Sequence, residues 1–173
     1  MLDLFNKESL KKKNCYVIQH QAMVRDSSYM MSVDLGSCAA AVLAGRDDKG
    51  NIWLGANHLF RSRVQNSDMA LEQVAALFNG LKEQGAADIR CLGLFGAAYG
   101  EQSGAKDIAQ GNVRLMLEAL NFYNLEIELF QTGYSQSISV LKSDERNSFL
   151  IKHHDFDDRS KRIIELHMIQ VFH

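Results

Sequence analysis

One cysteine in this sequence has surroundings that favour chemistry. Cys38 follows Leu35-Gly36-Ser37, and Gly36 lets the backbone turn tightly, so that main-chain N–H groups near the sulfur can point at a bound group. A thiolate attacks acyl carbons, and such N–H groups stabilise the oxyanion that forms. A cysteine beside alanines is more often an inert core residue. A catalytic role therefore requires a base close to Cys38.

His58 is the candidate base. Residues 38–44 and 52–60 are apolar segments on either side of a polar, glycine-containing connector, a pattern typical of a β-hairpin. A turn centred near Asp48 would place Cys38 directly across from His58, with Cβ atoms roughly 4.5–5.5 Å apart. The imidazole could then take the thiol proton for nucleophilic catalysis. The alternative is a core histidine bonded to a backbone carbonyl, and a one-residue slip in register would turn the two side chains to opposite faces.

The remaining pattern predicts an α+β domain. Strands are predicted over residues 14–24, 29–35, 38–44, 52–60, 89–95, 125–131, 137–142 and 148–152. Helices are predicted over residues 67–84, which Ser67 or Asp68 can cap, and about 107–122. The tail over residues 157–173 fits a helix or a strand. Because only two helices interrupt many strands, we expect helices packed on a sheet rather than alternating βαβ units.

Length and composition indicate one domain over residues 1–173, with a core at about 14–152, an N-terminal lead-in at 1–13 and a C-terminal extension at 153–173. The formal net charge of -2 argues against a nucleic-acid-binding protein, which usually has a basic face.

The N-terminus lacks the long apolar stretch of a signal or membrane anchor, so we expect no membrane insertion and a cytoplasmic location. Three widely spaced cysteines disfavour a disulfide framework and a structural zinc site.

Two further patterns carry less weight. The segment His153-His154-Asp155-Phe-Asp157-Asp158 has metal-capable side chains, but adjacent residues of an extended chain point to opposite sides and no distant partner is evident. We therefore expect a solvated turn there and predict no metal site. The loop Gly93-x-x-Gly96-x-x-x-Gly100 lacks the residues that complete a phosphate-binding motif.

Longer segments around the two candidate residues resemble a known family. The string Ser32-Val-Asp-Leu-Gly-Ser-Cys38-Ala-Ala-Ala-Val, followed by Gly55-Ala-Asn-His58-Leu-Phe, resembles the signature of the CheD proteins, which deamidate glutamine side chains of bacterial chemoreceptors to glutamate. Further likenesses follow in the family's order, namely Leu94-Phe95-Gly96-Ala97 to Phe-Gly-Gly-Ala, Ile108-Ala-Gln-Gly-Asn112-Val to Ile-Gly-x-Arg-Asn, and Thr132-Gly133 to Thr-Gly-Gly. The resemblance covers about residues 16–152.

This resemblance implies a role for each matching residue. Cys38 would be the nucleophile, His58 the general base and Ser32 the residue that orients the imidazole, where the family usually has threonine. Serine keeps the hydroxyl, so the orienting hydrogen bond could survive. Substrate or oxyanion positions would be Gly36, Ser37, Asn57, Gly96, Asn112 and Thr132. The implied fold is a single CheD-like α+β domain of stacked mixed or antiparallel sheets with two or three helices packed on them, and no cofactor is expected.

Several positions depart from the family pattern, among them Ala97, Gly111 and Tyr134 in place of glycine, arginine and glycine. All of them lie outside the Cys38/His58 pair, so they bear on substrate recognition more than on the chemical step. Two functions follow from the resemblance. The first is a glutamine deamidase acting on the cytoplasmic helices of chemoreceptors, and the alternative is a catalytically silent binding module that regulates a CheC-type phosphatase or a receptor. A CheC-type phosphatase is also an implied partner of the enzyme.

Overall fold

Two five-stranded sheets lie face to face in the computed structural model, which describes residues 1–60, 68–98, 105–133, 136–155 and 164–172. The elements in chain order are α1 (Leu2–Ser9), β1 (Lys13–Tyr16), β2 (Ala22–Asp26), β3 (Tyr29–Leu35), β4 (Ala39–Asp47), β5 (Ile52–Asn57), α2 (Met69–Glu83), β6 (Ala86–Gly96), α3 (Ala105–Phe122), β7 (Phe130–Thr132), β8 (Gln136–Lys142), β9 (Phe149–Asp155) and β10 (Ile164–Ile169).

Both sheets are mixed. The first, sheet A, has the order β1-β3-β8-β9-β10, and the second, sheet B, has the order β2-β5-β4-β6-β7. In each sheet one edge pair is parallel, β1 with β3 and β6 with β7, and the remaining pairs are antiparallel. The predicted α+β class is therefore confirmed, with stacked mixed sheets and three helices.

The layers follow from where the apolar side chains lie. One buried cluster fills the space between the sheets and includes Val33, Val42 and Phe95. A second cluster packs α2 and α3 on the outer face of sheet B, and a smaller one packs α1 on the outer face of sheet A. Strand β4 is buried on both faces, which explains why residues 39–44 are apolar without alternation. Cys38 immediately precedes this strand.

Four predicted elements differ from the observed ones. The predicted strand 125–131 is reduced to β7 at its end. The predicted strand 14–24 is divided into β1 and β2, because residues 17–21 cross from sheet A to sheet B. The ambiguous tail contributes the edge strand β10. The N-terminal lead-in contains α1, whose Glu8 is fully buried and accepts hydrogen bonds from the Ser143 hydroxyl and the Asp144 N–H.

None of the helices in the described ranges is long and apolar enough to span a membrane.

Candidate active site

The hairpin of β4 and β5 determines how Cys38 and His58 face each other. Its ladder pairs Arg46 with Ile52 and ends in a bridge between Ala39 and Leu59. In this register Cys38 lies opposite Phe60, and His58 lies opposite Ala40. The predicted direct pairing of Cys38 with His58 is thus wrong by two residues. An even shift keeps both residues on one face, where they are diagonal neighbours with backbones roughly 7–8 Å apart.

The turn explains the shift. Asp47 accepts main-chain N–H bonds from Lys49 and Asn51 on its carboxylate, and its own N–H bonds to the Asn51 carbonyl. Gly50 completes the turn with φ of +85°, a conformation that glycine adopts without strain. The connection is therefore a three-residue loop centred on Lys49 rather than one centred on Asp48.

The segment 36–38 is held by its carbonyl groups. All three carbonyl oxygens accept hydrogen bonds, and the donors for residues 36, 37 and 38 are, in that order, Ala98 N–H at 2.9 Å, Asn112 Nδ2 at 2.9 Å and Ala97 N–H at 2.6 Å. Main-chain hydrogen bonds of Gly36 and Cys38 favour the ionised form of the thiol and so oppose the rise in its pKa that burial causes. N–H groups beside a sulfur favour negative charge at that point, and the oxyanion role of this segment stays a prediction.

Gly96 allows the end of β6 to lie close to the backbone of Cys38. It has φ of +92°, and a Cβ placed on it would lie 2.4 Å from the Cys38 carbonyl oxygen and 2.9 Å from the Leu35 Cβ. Only glycine fits such a position, because a side chain would collide with the backbone that carries the thiol. The predicted site residue Gly96 is thus next to Cys38, and its role is to admit close contact between the β6 end and the segment 36–38.

His58 is oriented by a main-chain carbonyl. Its Nδ1 lies 3.2 Å from the Val17 oxygen, in the segment that crosses between the sheets. Because a carbonyl can only accept, Nδ1 must carry the hydrogen, which leaves a lone pair on Nε2. That Nε2 atom is buried and has no hydrogen-bond partner among the residues that the structure describes. The imidazole is therefore the correct tautomer to accept a proton at Nε2.

Both groups of the pair are neutral at rest. Burial raises the pKa of the Cys38 thiol above its ordinary value, and the Gln19 amide and the N–H groups of Cys38 and Gly36 offset this only in part. Burial likewise lowers the pKa of His58, and the hydrogen bond that its Nδ1 donates to the Val17 carbonyl opposes that shift. A preformed thiolate and imidazolium are both disfavoured. The imidazole can accordingly act as a general base, but it does not hold the thiol ionised in advance.

Two residues near the sulfur were missed by the sequence reasoning. Gln19 is exposed, and its Nε2 lies 3.8 Å from the Cys38 sulfur. His20 follows it with φ of +66°, donates its N–H to the His58 carbonyl and contacts the Phe60 ring edge-on. The predicted strand 14–24 did not indicate a role for Gln19 and His20, because it placed both residues in a regular strand. They lie instead in the segment that crosses between the sheets.

Ser32 does not reach the imidazole, which corrects the role that the resemblance implies for it. Its hydroxyl donates to Asn14 Oδ1 at 2.8 Å and lies 3.2 Å from the Ser139 hydroxyl. The alternation of β3 explains this, since Val33 is part of the cluster between the sheets and Ser32 points to the opposite face. The Val17 carbonyl occupies the orienting position instead.

Asn57 also lies on the face away from Cys38. Its Oδ1 accepts the Ala41 N–H at 2.7 Å, and its Nδ2 donates to Gln73 Oε1 at 2.7 Å. The side chain replaces a rung of the β4–β5 ladder and joins α2 to the sheet. This use of both polar atoms corrects the substrate or oxyanion role that the resemblance implies, and it gives Asn57 a structural one.

The other predicted positions lie at the same end of sheet B as Cys38. Thr132 ends β7 and pairs with Gly96, and Gly133 donates its N–H to the Gly96 carbonyl. Asn112 is fully buried on α3 and reaches Ser37, while its Oδ1 has no partner within the described part of the chain. Tyr134 lies outside the described residues. The fold therefore gathers Ser37, Gly96, Asn112 and Thr132 around the Cys38 segment.

A second group of chemically capable side chains lies elsewhere, on β9 and β10. His153 belongs to β9 rather than to a solvated turn, and it meets Glu165 and His167 of β10. The predicted turn is therefore wrong for the start of that segment, and Asp157 and Asp158 lie outside the described residues.

Comparison with known proteins finds likeness only among solved structures. No protein-family model matches the chain, and no curated protein matches it. Among solved structures, the C-terminal domain of CNFy from Yersinia pseudotuberculosis is similar over 90% of this chain and 61% of that chain, with 7% sequence identity and a TM-score of 0.38. A likeness this distant assigns neither an activity nor a site residue.

Proposed function

We propose that this protein is a cysteine-dependent amidohydrolase of the CheD type, which deamidates glutamine side chains of chemoreceptors to glutamate. The observation that carries the proposal is the His58 imidazole. It is held by Val17 with a buried, unpaired lone pair on Nε2, and it lies on the same sheet face as Cys38. A buried nitrogen without a hydrogen-bond partner lowers the stability of the fold. Acceptance of a proton from the Cys38 thiol during catalysis would explain why such a nitrogen is present here.

The first half of the reaction forms a thioester. As the Cys38 sulfur attacks the carboxamide carbon, the thiol proton moves to His58 Nε2. The developing oxyanion is stabilised by the N–H groups of Gly36 and Cys38, which the sequence pattern places at the oxyanion position. The protonated imidazole then gives its proton to the amide nitrogen, the C–N bond breaks, and ammonia leaves. The acyl group remains bound to Cys38.

The second half hydrolyses the thioester. A water molecule attacks the acyl carbon while His58 takes one of its protons. The C–S bond breaks, the sulfur recovers a proton from the imidazolium, and the product is a glutamate carboxyl group. His58 returns to its neutral state, for which its lowered pKa is suited, since a neutral imidazole is required at the start of each half-reaction.

Selectivity for a side-chain amide would come from the groups around the pair. The exposed amide of Gln19 lies next to the sulfur, and Phe60 faces it across the hairpin. The receptor helices are proposed as substrate from the sequence resemblance alone.

One observation favours the second candidate, a silent CheD-like module that binds a CheC-type phosphatase or a receptor. Cys38 is 5% exposed, and its pKa is raised rather than lowered. Many catalytic cysteines have a depressed pKa, so a buried neutral thiol also fits a protein that binds without turnover.

The deciding experiment is mass spectrometry of receptor cytoplasmic fragments after incubation with the native protein, with Cys38→Ala and with Cys15→Ala. Cys15 is a buried cysteine that contacts Met23 and has no part in the proposed reaction, so it is the matched control. We expect glutamine-to-glutamate conversion by the native protein and the Cys15→Ala variant and none by Cys38→Ala. Binding of the fragment without conversion by any of the three would reject the enzyme and leave the binding module.

A further inference from the structure

Three side chains from two neighbouring strands meet on the inner face of sheet A. His153 of β9 lies directly opposite Glu165 of β10, and His167 is the next residue along β10 on the same face. The Nε2 atoms of the two histidines are 2.9 Å apart, and the Glu165 Oε2 atom lies 3.2 Å from His153 Nε2 and 3.7 Å from His167 Nε2. Two imidazole nitrogens and a carboxylate oxygen thus converge on one small volume.

The spacing of these atoms fits a metal ion. Ligand atoms that are each ~2.0–2.1 Å from a tetrahedral zinc ion lie roughly 3.3 Å from one another. The three observed separations bracket that value. The two rings are also nearly parallel, and their centroids are 5.0 Å apart while their Nε2 atoms are 2.9 Å apart, so the rings converge at those nitrogens.

Protonation of both histidines is incompatible with this geometry. Two N–H groups would then point at each other across 2.9 Å. One proton shared between the two Nε2 atoms would form a hydrogen bond between the histidines. The Glu165 Oε2 atom would then have no proton to accept and would face the nitrogen lone pair. A divalent cation at the centre would satisfy all three atoms at once.

We propose that His153, Glu165 and His167 form a binding site for a divalent transition-metal ion of the zinc class. Two imidazoles and one carboxylate suit zinc and its neighbours, whereas magnesium and calcium require ligand sets of oxygen alone. His153 is 2% exposed and anchors the site in the sheet, while Glu165 and His167 are reachable from solvent with 49% and 28% of their side chains exposed. The fourth tetrahedral position would be taken by water.

This site is separate from the Cys38 site. Strand β10 is an edge of sheet A, whereas the strands next to Cys38 and His58, β4 and β5, belong to sheet B. A bound ion would link β10, an edge strand, to β9. We therefore assign the ion a structural role, independent of the proposed deamidase reaction.

The test is competition for Zn²⁺ between the full chain and a chromophoric chelator. It is performed in a Cys38→Ala background, so that the thiol and His58 cannot supply a rival site. We expect one equivalent of Zn²⁺ to bind. His167→Gln and Glu165→Gln should each weaken binding by at least ~10–100-fold, since loss of an outer-shell partner alone has that effect. His20→Gln, which removes an exposed histidine outside the cluster, should leave the affinity unchanged.

A second readout uses the Cys38→Ala chain without further substitution. Hydrogen exchange followed by mass spectrometry should show that Zn²⁺ slows amide exchange in β9 and β10 and leaves α2 unaffected. Absence of saturable Zn²⁺ binding would overturn the proposal. So would a Zn²⁺ affinity of the His167→Gln and Glu165→Gln variants equal to that of the Cys38→Ala parent, or zinc-dependent protection that is confined to other elements.

Discussion

At the scale of single residues, the environment of the Cys38/His58 pair indicates which kind of cysteine chemistry is open to this protein. Burial disfavours charge on both groups, and within the described part of the chain the Gln19 amide and main-chain hydrogen bonds of Gly36 and Cys38 oppose this effect on the thiol. A reaction through a preformed ion pair would require the opposite pKa shifts. The structure instead suits proton transfer that is concerted with attack on a bound carbonyl carbon.

Thiol alkylation should report the state of Cys38. Since its pKa is raised above the ordinary value of 9.0, little thiolate exists at pH 7, and the alkylation rate should rise about tenfold per pH unit until the pH exceeds 9.0. Cys91, whose pKa is raised to about 12 and whose side chain is fully buried, should react more slowly at every pH. Peptide mass spectrometry after timed exposure to iodoacetamide measures both rates. A Cys38 rate that reaches a plateau below pH 8 would contradict the raised pKa.

At the scale of elements, three strand ends and one crossing segment position the pair. Cys38 immediately precedes β4, His58 immediately follows β5, and the end of β6 contacts the Cys38 backbone at Gly96. The crossing segment supplies the Val17 carbonyl that selects the imidazole tautomer. The site therefore depends on backbone placement, and changes that move these ends should matter more than changes to exposed side chains nearby.

Replacement of Gly96 by alanine tests this dependence. The new Cβ would lie 2.4 Å from the Cys38 carbonyl oxygen at φ of +92°, so the free energy of unfolding should fall by at least ~2 kcal/mol, from overpacking and a left-handed backbone. Gly36→Ala is the stability control, because a Cβ there meets nothing within 4 Å. Urea denaturation followed by circular dichroism compares the two variants. Equal stability of Gly96→Ala and the native protein would show that the contact is not as close as described.

At the scale of the whole molecule, the four layers distribute stability unevenly. Strand β4 is central in sheet B and covered on both faces, by the inter-sheet cluster on one side and by α2 and α3 on the other. Strand β10 is an edge, and α1 is attached mainly through Phe5 and Glu8. Local opening should therefore begin at β10 and α1, while β4 opens only with global unfolding.

Native-state hydrogen exchange checks this order. In the metal-free protein, amides of β4 between Ala40 and Ala44 should exchange slowest, with a rate governed by the free energy of global unfolding. Amides of β10 and α1 should exchange orders of magnitude faster. Mass spectrometry of peptic peptides resolves the three regions. Uniform protection across them would indicate a single cooperative unit and contradict the layered distribution.

The sequence alone was sufficient for features that depend on local pattern. Apolar runs bounded by polar turns identified both strands of the hairpin, and helical periodicity located α2 and α3. The alternation of β3 also contained the signal that corrects Ser32, because Val33 and Leu35 share the apolar face and Ser32 must lie on the other. Such features depend on residues that are close in the sequence, so they can be predicted without the tertiary structure.

Only the tertiary structure decided what depends on register and on distant pairing. The Asp47 carboxylate accepts two main-chain N–H bonds in the turn, and the hairpin register differs by two residues from the predicted one. Cys38 and His58 are therefore diagonal neighbours rather than directly opposed. The Val17 carbonyl reaches His58 because the chain crosses between sheets. His153 meets His167 because β10 pairs with β9, a choice that the tail sequence left open. Each depends on hydrogen bonds between segments far apart in the chain, and local propensity contains no information about which distant partner a strand will find.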